Sequence, residues 1–411
     1  MRGAARWQAL AAVALAELGA PRGVPIIVGS CNAGADAMDA AQWERSFDEL
    51  GFTGPIASAA CASGLHALWL GATRIAAGCD EVVVLAVDVL TAVNHDQFEG
   101  LRVLSDAPAP WQPHATGFVL GEAAVAVRLV RARPGDARPR LHGPILSHDR
   151  FEIDALAELV ARSTETAPSF VIGQGAGPAA MDGRELAALR DLPHTTRLTT
   201  ALAAFGHTLG ASSLLSVALA TLARTHDLAC LSLAPATSSD GRPLGAARGD
   251  ALVVCRALGG ACGVAGVGGV GGVGGVGGVG GAGSGADAGS GWTAISPQPP
   301  LRIPLLRELV AAAAAHRPSR PPAVLIVHLD APVVPPDDAR IGGRMLPSVV
   351  LEMTPGFIAQ LVARAWGFAG PALCLVGGTA TEQQLMFAAC RQIHGAVSVL
   401  QVGRDGLAWN A

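Results

Sequence analysis

The residue types able to do chemistry gather first at Ser58-Ala59-Ala60-Cys61-Ala62-Ser63-Gly64-Leu65-His66-Ala67. An apolar run precedes this stretch, and a small-residue helix with Leu65, Leu68 and Leu70 follows it. That order puts Cys61 on a turn from strand to helix. A thiol at a helix N-terminus meets the positive end of the macrodipole and unpaired backbone N–H groups. Both favour thiolate, the nucleophilic form. The chemistry expected of Cys61 is therefore the carrying of an acyl group. Further polar or Gly-rich groups sit at element ends: Gln174 in Gln-Gly-Ala-Gly, His207 in Gly-His-Thr-Leu-Gly, and the closing Leu258-Gly259-Gly260.

The elements that would position these groups alternate between helix and strand. Residues 5–18 read as an amphipathic helix, 24–28 as a short buried strand, and 36–50 as a helix with Trp43, Phe47 and Leu50 on one side. A helix is expected from about Ser63 to Ala77. Residues 81–88 (EVVVLAVD) form a continuous apolar run, as in strands buried on both faces. Residues 117–130 give a Gly-rich turn and a strand, and 131–141 a surface loop. Further on, 153–162 and 184–190 read as helices and 169–173 and 251–255 as strands. The GHTLG segment opens a long apolar helix within 199–225. This alternation predicts an α/β layer built on a mixed, mostly parallel sheet.

Composition narrows the class. The chain has 411 residues, enough for two or three domains, and half of them are hydrophobic. Its net charge of −4 argues against a nucleic-acid or anionic-membrane partner. It contains no Lys, so its 29 basic residues are all Arg and lysine-dependent mechanisms are excluded. The eight cysteines show no C-x-x-C spacing and none lies near a His at zinc-site spacing. No metal and no cofactor is expected, and buried thiols fit a reducing, cytoplasmic setting. The N-terminal apolar run is broken by Gln8, Glu17 and Gly19, so neither a signal peptide nor a membrane insertion is expected.

From residue 263 a Val-Gly-Gly pattern predicts a flexible linker over 263–299. Beyond it, 300–411 repeats the start of the chain. Residues 305–315 match the first helix and 323–328 the first strand. Gly367-Phe368-Ala369-Gly370-Pro371 matches Gly51-Phe52-Thr53-Gly54-Pro55, and Cys61 then falls opposite Gly377. The second copy keeps the scaffold and lacks the thiol.

The motif around Cys61 resembles the nucleophile elbow of the β-ketoacyl-acyl-carrier-protein synthases of the thiolase-like superfamily. Other motifs follow in the family's order: GFVLGEAA at 117–124, FGHTLGAS at 205–212 and ALGGACGV at 257–264. The resemblance implies an α/β, thiolase-like layered fold, shortened here. It implies a ketosynthase-like domain at 1–262, with halves at about 1–135 and 165–262. A partial pseudo-ketosynthase repeat would occupy 300–411. On the same resemblance Cys61 is the nucleophile, and its N–H with that of Leu258, in the Leu258-Gly259-Gly260 loop, is the oxyanion hole. His207 is the second of the family's two histidines. Acyl carrier protein, bearing acyl and malonyl thioesters, is the implied partner, beside a ketosynthase partner or a second copy in a homodimer.

Three positions depart from the pattern. Gln174 stands at the place of the first histidine, counted back from Asp182. Leu202 replaces the family lysine and Ser216 its glutamate partner. Loss of both members of an ion pair is coherent, since one left alone would be an uncompensated buried charge costing ~3–5 kcal/mol. A neutral amide donates a hydrogen bond but shuttles no proton. The implied activity is acyl transfer through an acyl-thioester on Cys61 in fatty-acid, polyketide or aryl-polyene-type synthesis, with condensation left open because the first histidine and the lysine are missing. The alternatives are a non-catalytic partner resembling a chain-length factor, or a decayed, truncated ketosynthase. At the residue level, Cys61 as a core cysteine, His207 as a helix-start histidine and Gln174 as a turn residue stay open.

Overall fold

The computed structural model describes residues 3–21, 23–31, 50–149, 155–163, 168–224, 237–245, 248–257, 260–268, 304–331, 340–341, 344–345, 352, 354–403 and 406–410. The helix expected at 36–50, apart from Leu50, and most of the Gly-rich stretch lie outside them.

Helix α1 (Gly3–Leu18) leads to strand β1 (Ile26–Gly29), then β2 (Ile56–Ser58), helix α2 (Ser63–Ala76) and β3 (Glu81–Asp88). The β-branched run of β3 is buried over its last seven residues, as a central strand requires. Helix α3 (Ala92–Gly100) and strands β4 (Ala123–Val130) and β5 (Arg140–His148) follow. Next come α4 (Ala155–Ser163), β6 (Phe170–Ile172), α5 (Ala179–Ala188), β7 (Arg197–Thr199), the short α6 (Leu202–Phe205) and α7 (Ser212–Leu222). Strands β8 (Ala251–Arg256) and β9 (Ala261–Gly268) close this part. After the Gly-rich stretch stand α8 (Pro304–Ala315), β10 (Val324–Leu329), the two-residue strands β11 (Arg340–Ile341) and β12 (Arg344–Met345), and α9 (Pro355–Trp366). The chain ends with β13 (Ala372–Val376), α10 (Ala380–His394), β14 (Val397–Gly403) and β15 (Gly406–Asn410).

Two mixed sheets organise these elements. The larger has the order β15-β14-β10-β13-β2-β1-β3-β4, and the smaller β5-β9-β8-β6-β7. Helices α2 and α7 lie between the sheets, and α10 packs beside α2 on the same face of the larger sheet. Helices α1, α8 and α9 cover the outer face of the larger sheet, and α4 and α5 that of the smaller. From Ser63 through Thr73 every residue of α2 is buried, which explains its small side chains and its leucines. Among the described residues, no helix is long and apolar enough to cross a membrane.

The larger sheet is palindromic. β1 pairs in parallel with β2 and β3, and β10 in parallel with β13 and β14. β3 and β14 each carry an antiparallel outer strand, β4 and β15. The two halves meet where β2 pairs antiparallel with β13, and there Ser58 faces Cys374. Counting on three from the matching Pro55 and Pro371, these two residues are each other's equivalents in the repeat. A residue paired with its own equivalent across antiparallel strands marks a local twofold axis.

The sequence expectation errs at several boundaries: β5 begins at Arg140, inside the loop expected at 131–141, and the helix expected at 184–190 is Ala179–Ala188. The linker was expected from residue 263, but Ala261–Gly268 is a strand buried throughout, between β8 and β5. Its glycines sit where Gly263 meets Leu146 and Leu65, so backbone pairing and close packing override the low strand propensity of Gly.

Candidate active site

Cys61 stands three residues after β2 and two before α2. Ala60 holds a positive φ of 49°, so the chain turns sharply before the thiol. Ser63 braces the turn: its Oγ accepts from Ala59 N at 2.9 Å and lies 2.6 Å from Ala60 O and 3.0 Å from Ser30 O. Helix α7 approaches so closely that Leu65 N donates to Ser213 Oγ at 3.0 Å.

His207 reaches the thiol from a second loop. Gly206, at φ +69°, lets the chain reverse after α6. His207 N then donates to Val119 O at 2.7 Å, and Gly121 N donates to His207 O at 3.0 Å. The GFVLGEAA and FGHTLGAS segments are therefore one interlocked unit. Phe118 stands edge-on to the His207 ring, with centroids 4.6 Å apart. His207 Nε2 lies 3.2 Å from Cys61 Sγ, and its Nδ1 lies 3.1 Å from Ser212 Oγ.

Burial decides the charge of this pair. Cys61 is 3% exposed and His207 4%. Loss of solvation, with Asp88 adding repulsion, pushes the Cys61 thiol up to about 12. Burial pulls His207 down to about 4. At neutral pH the pair is thiol and neutral imidazole. Burial thus works against the thiolate that the helix position alone favours.

Gln174 lies on the loop after β6. Glu185 fixes that loop, accepting from Gln174 N at 2.7 Å, Gly175 N at 3.0 Å and Trp111 Nε1 at 2.8 Å. Asp182 assists, accepting from Gly177 N at 3.0 Å and Trp111 N at 2.6 Å. Burial and the neighbouring Glu185 raise Asp182 to about 7, against the N–H groups that hold it down. Both acids position the loop. Gln174 Oε1 accepts from Arg256 N at 3.3 Å.

Gln174 and His207 line one cavity of about 20 Å³. Leu202 and Ser216 line it as well, so the three positions that depart from the family pattern converge beside the candidate histidine. Sequence reading did not single out Cys255, which lines the cavity and points Sγ at Cys61 O, 3.5 Å away. Nor did it single out Ser212, although Ser212 closes the FGHTLGAS motif. Leu258 and Gly259 lie outside the described residues. Gly260 carries φ +93° and accepts from Asp149 N at 2.7 Å. Of the other candidates, His66 is buried and His114 exposed. Glu122 fixes a loop by accepting from Leu90 N at 3.2 Å and pairing with Arg6.

Residues 30–134 match the family model for the beta-ketoacyl synthase N-terminal domain. No curated protein matches the sequence. Among solved structures, the PfaC keto synthase–chain length factor has a TM-score of 0.64 at 14% identity, over 88% of this chain and 55% of its own. This chain thus spans about half the length of that relative. A beta-ketoacyl synthase from Burkholderia phymatum STM815 has a TM-score of 0.53 at 17% identity, over 65% of this chain and 82% of its own. At such identities the likeness is one of fold. Residues 30–134, which hold the Cys61 elbow, thus match a β-ketoacyl synthase N-terminal domain, within a fold like that of solved ketosynthases.

Proposed function

We propose that this protein is an acyltransferase of the β-ketoacyl-acyl-carrier-protein synthase family that loads an acyl group on Cys61 and passes it on without lengthening it. The observation that carries the reading is the 3.2 Å approach of His207 Nε2 to Cys61 Sγ, with Gln174 lining the cavity beside that histidine. His207 takes the thiol proton as Sγ attacks the carbonyl of an acyl-carrier thioester. The new C–Sγ bond forms, the bond to the carrier sulfur breaks, and the proton goes to the departing thiol. Transfer onward reverses these steps with a second acceptor thiol. The N–H groups of Cys61 and of the Leu258-Gly259-Gly260 loop are the proposed oxyanion donors.

Condensation needs stabilised negative charge on a malonyl thioester oxygen as carbon dioxide leaves. Gln174 supplies a neutral donor and no proton. A missing donor of this kind costs ~10²–10³ in rate.

Mass spectrometry after incubation with acyl-carrier thioesters tests the reading. A stable adduct on Cys61, absent from Cys61→Ala, is expected, with no carbon dioxide released from malonyl carrier. Gln174→His should raise decarboxylation by ~10²–10³ if the rest of the site is sound. Failure to form an adduct at any chain length would sink the acyltransferase reading. It would leave the second one, a non-catalytic partner like the chain length factor named in the PfaC structure, which the second copy, with Gly377 at the place of Cys61, supports.

A further inference from the structure

We propose that the cavity beside His207 holds a water that attacks the acyl-Cys61 thioester, so that the protein also hydrolyses acyl thioesters to free carboxylic acids. The inference rests on the acylation of Cys61 argued above and adds a second fate for the acyl group.

The cavity has the size and lining for this task. Its volume, about 20 Å³, admits water. A buried water needs two to four polar partners. Thr200, Gln174, Ser216 and His207 line the cavity from separate elements. Ser216 Oγ spends its hydrogen on Ser212 O at 3.1 Å, which leaves its lone pairs to accept. Thr200 Oγ1 donates to Gln174 O at 2.8 Å and accepts from Leu202 N at 3.2 Å, which leaves one lone pair to accept. Among the described residues, the Gln174 side-chain NH₂ meets no acceptor, so it is free to donate. Leu202 and Ser216 place no charge in the cavity.

The base is already in place. Ser212 Oγ holds His207 at Nδ1, and Nε2 faces Cys61. Once Cys61 is acylated, its proton has left with the first thiol and Nε2 is again a free acceptor. Water then adds to the acyl carbon through oxygen while His207 takes one of its protons. The C–Sγ bond breaks, His207 returns the proton to Sγ, and the acid departs with the water oxygen. Acyl-Sγ plus water gives acid plus thiol, with no further reactant.

The test uses the full chain with octanoyl-N-acetylcysteamine in water enriched in oxygen-18. Released thiol and octanoate are followed separately. A burst of N-acetylcysteamine reports acylation, and the steady release of singly labelled octanoate reports hydrolysis. Ser216→Leu fills the cavity and should slow octanoate release about tenfold or more while the burst keeps its amplitude. Thr200→Val is a smaller change that should act in the same direction should Ser216→Leu misfold. A burst with no octanoate, or octanoate released at native rates by both variants, overturns the proposal and leaves acyl transfer intact. Absence of the burst overturns both.

Discussion

At the scale of single residues the deciding effect is desolvation. A cysteine near a helix start invites an ion-pair mechanism, yet Cys61 and His207 are both buried and their charged forms are disfavoured together. Proton transfer must then accompany attack instead of preceding it. The sign of the pH dependence follows. His207 stays neutral, and able to accept a proton, until pH falls through about 4. Cys61 contributes no rising limb until near 12. Acylation measured in a single turnover should therefore be flat between pH 5 and 9. An accessible thiol would instead gain about tenfold per unit up to its ordinary pKa near 8.5. Such a rise in the native chain would sink the neutral-pair mechanism. His207→Ala should lower the acylation rate by ~10²–10⁴, the usual contribution of a positioned general base.

Among the elements, α9 shows how the second half of the chain supports the site. Its first turn packs onto the elbow: Gly356 N donates to Ser58 Oγ at 3.3 Å, and Ser58 Oγ donates to Cys31 O at 2.7 Å. A Cβ on Gly356 would lie 2.7 Å from Ser58 O and 2.8 Å from Ala59 N, both backbone atoms. Gly356→Val should therefore cost about 1–3 kcal/mol, read from the urea midpoint, and slow acylation by shifting the elbow. Gly183 in α5 is the contrast, because nothing lies within 4 Å of its Cβ position. Gly183→Ala should be neutral or stabilising by up to ~1 kcal/mol. Equal losses for both variants would show that α9 does not brace the elbow.

Legibility differed by element for physical reasons. Helix α2 and strand β3 were readable because burial on all sides leaves a dense apolar signature. Cys61 and His207 were readable because each sits in a turn with a demanding backbone. Strand β9 was hidden because its glycines, chosen for close packing, look like the linker that follows. Cys255 was hidden inside an ordinary apolar strand; only the fold brings its sulfur to Cys61 O. The cavity was half legible, since Gln174, Leu202 and Ser216 were each marked as departures while their convergence is a fact of three dimensions.

For the whole molecule, the palindromic sheet carries the main consequence. An edge strand with unpaired N–H and C=O groups seeks a partner, and β2 has one only because β13 lies beside it in the same chain. Around this seam α2 and α10 pack together. The Trp69 and His394 rings stack at 4.5 Å, and Arg74 pairs with Glu382 at 3.1 Å. We infer that the second copy fills the place a partner subunit would take across the local twofold. Removing residues 269–411, which spares β9, should expose β2 together with the apolar face of Val28, Ile56 and Leu85 that packs with Ile358 and Val362. The shortened chain should self-associate through β2 or precipitate, while the intact chain runs in light scattering at its monomer mass of 41.4 kDa. A soluble, folded monomer of 1–268 would show that the first half closes its own sheet edge. The second copy would then have to be explained by something other than the seam at Ser58 and Cys374.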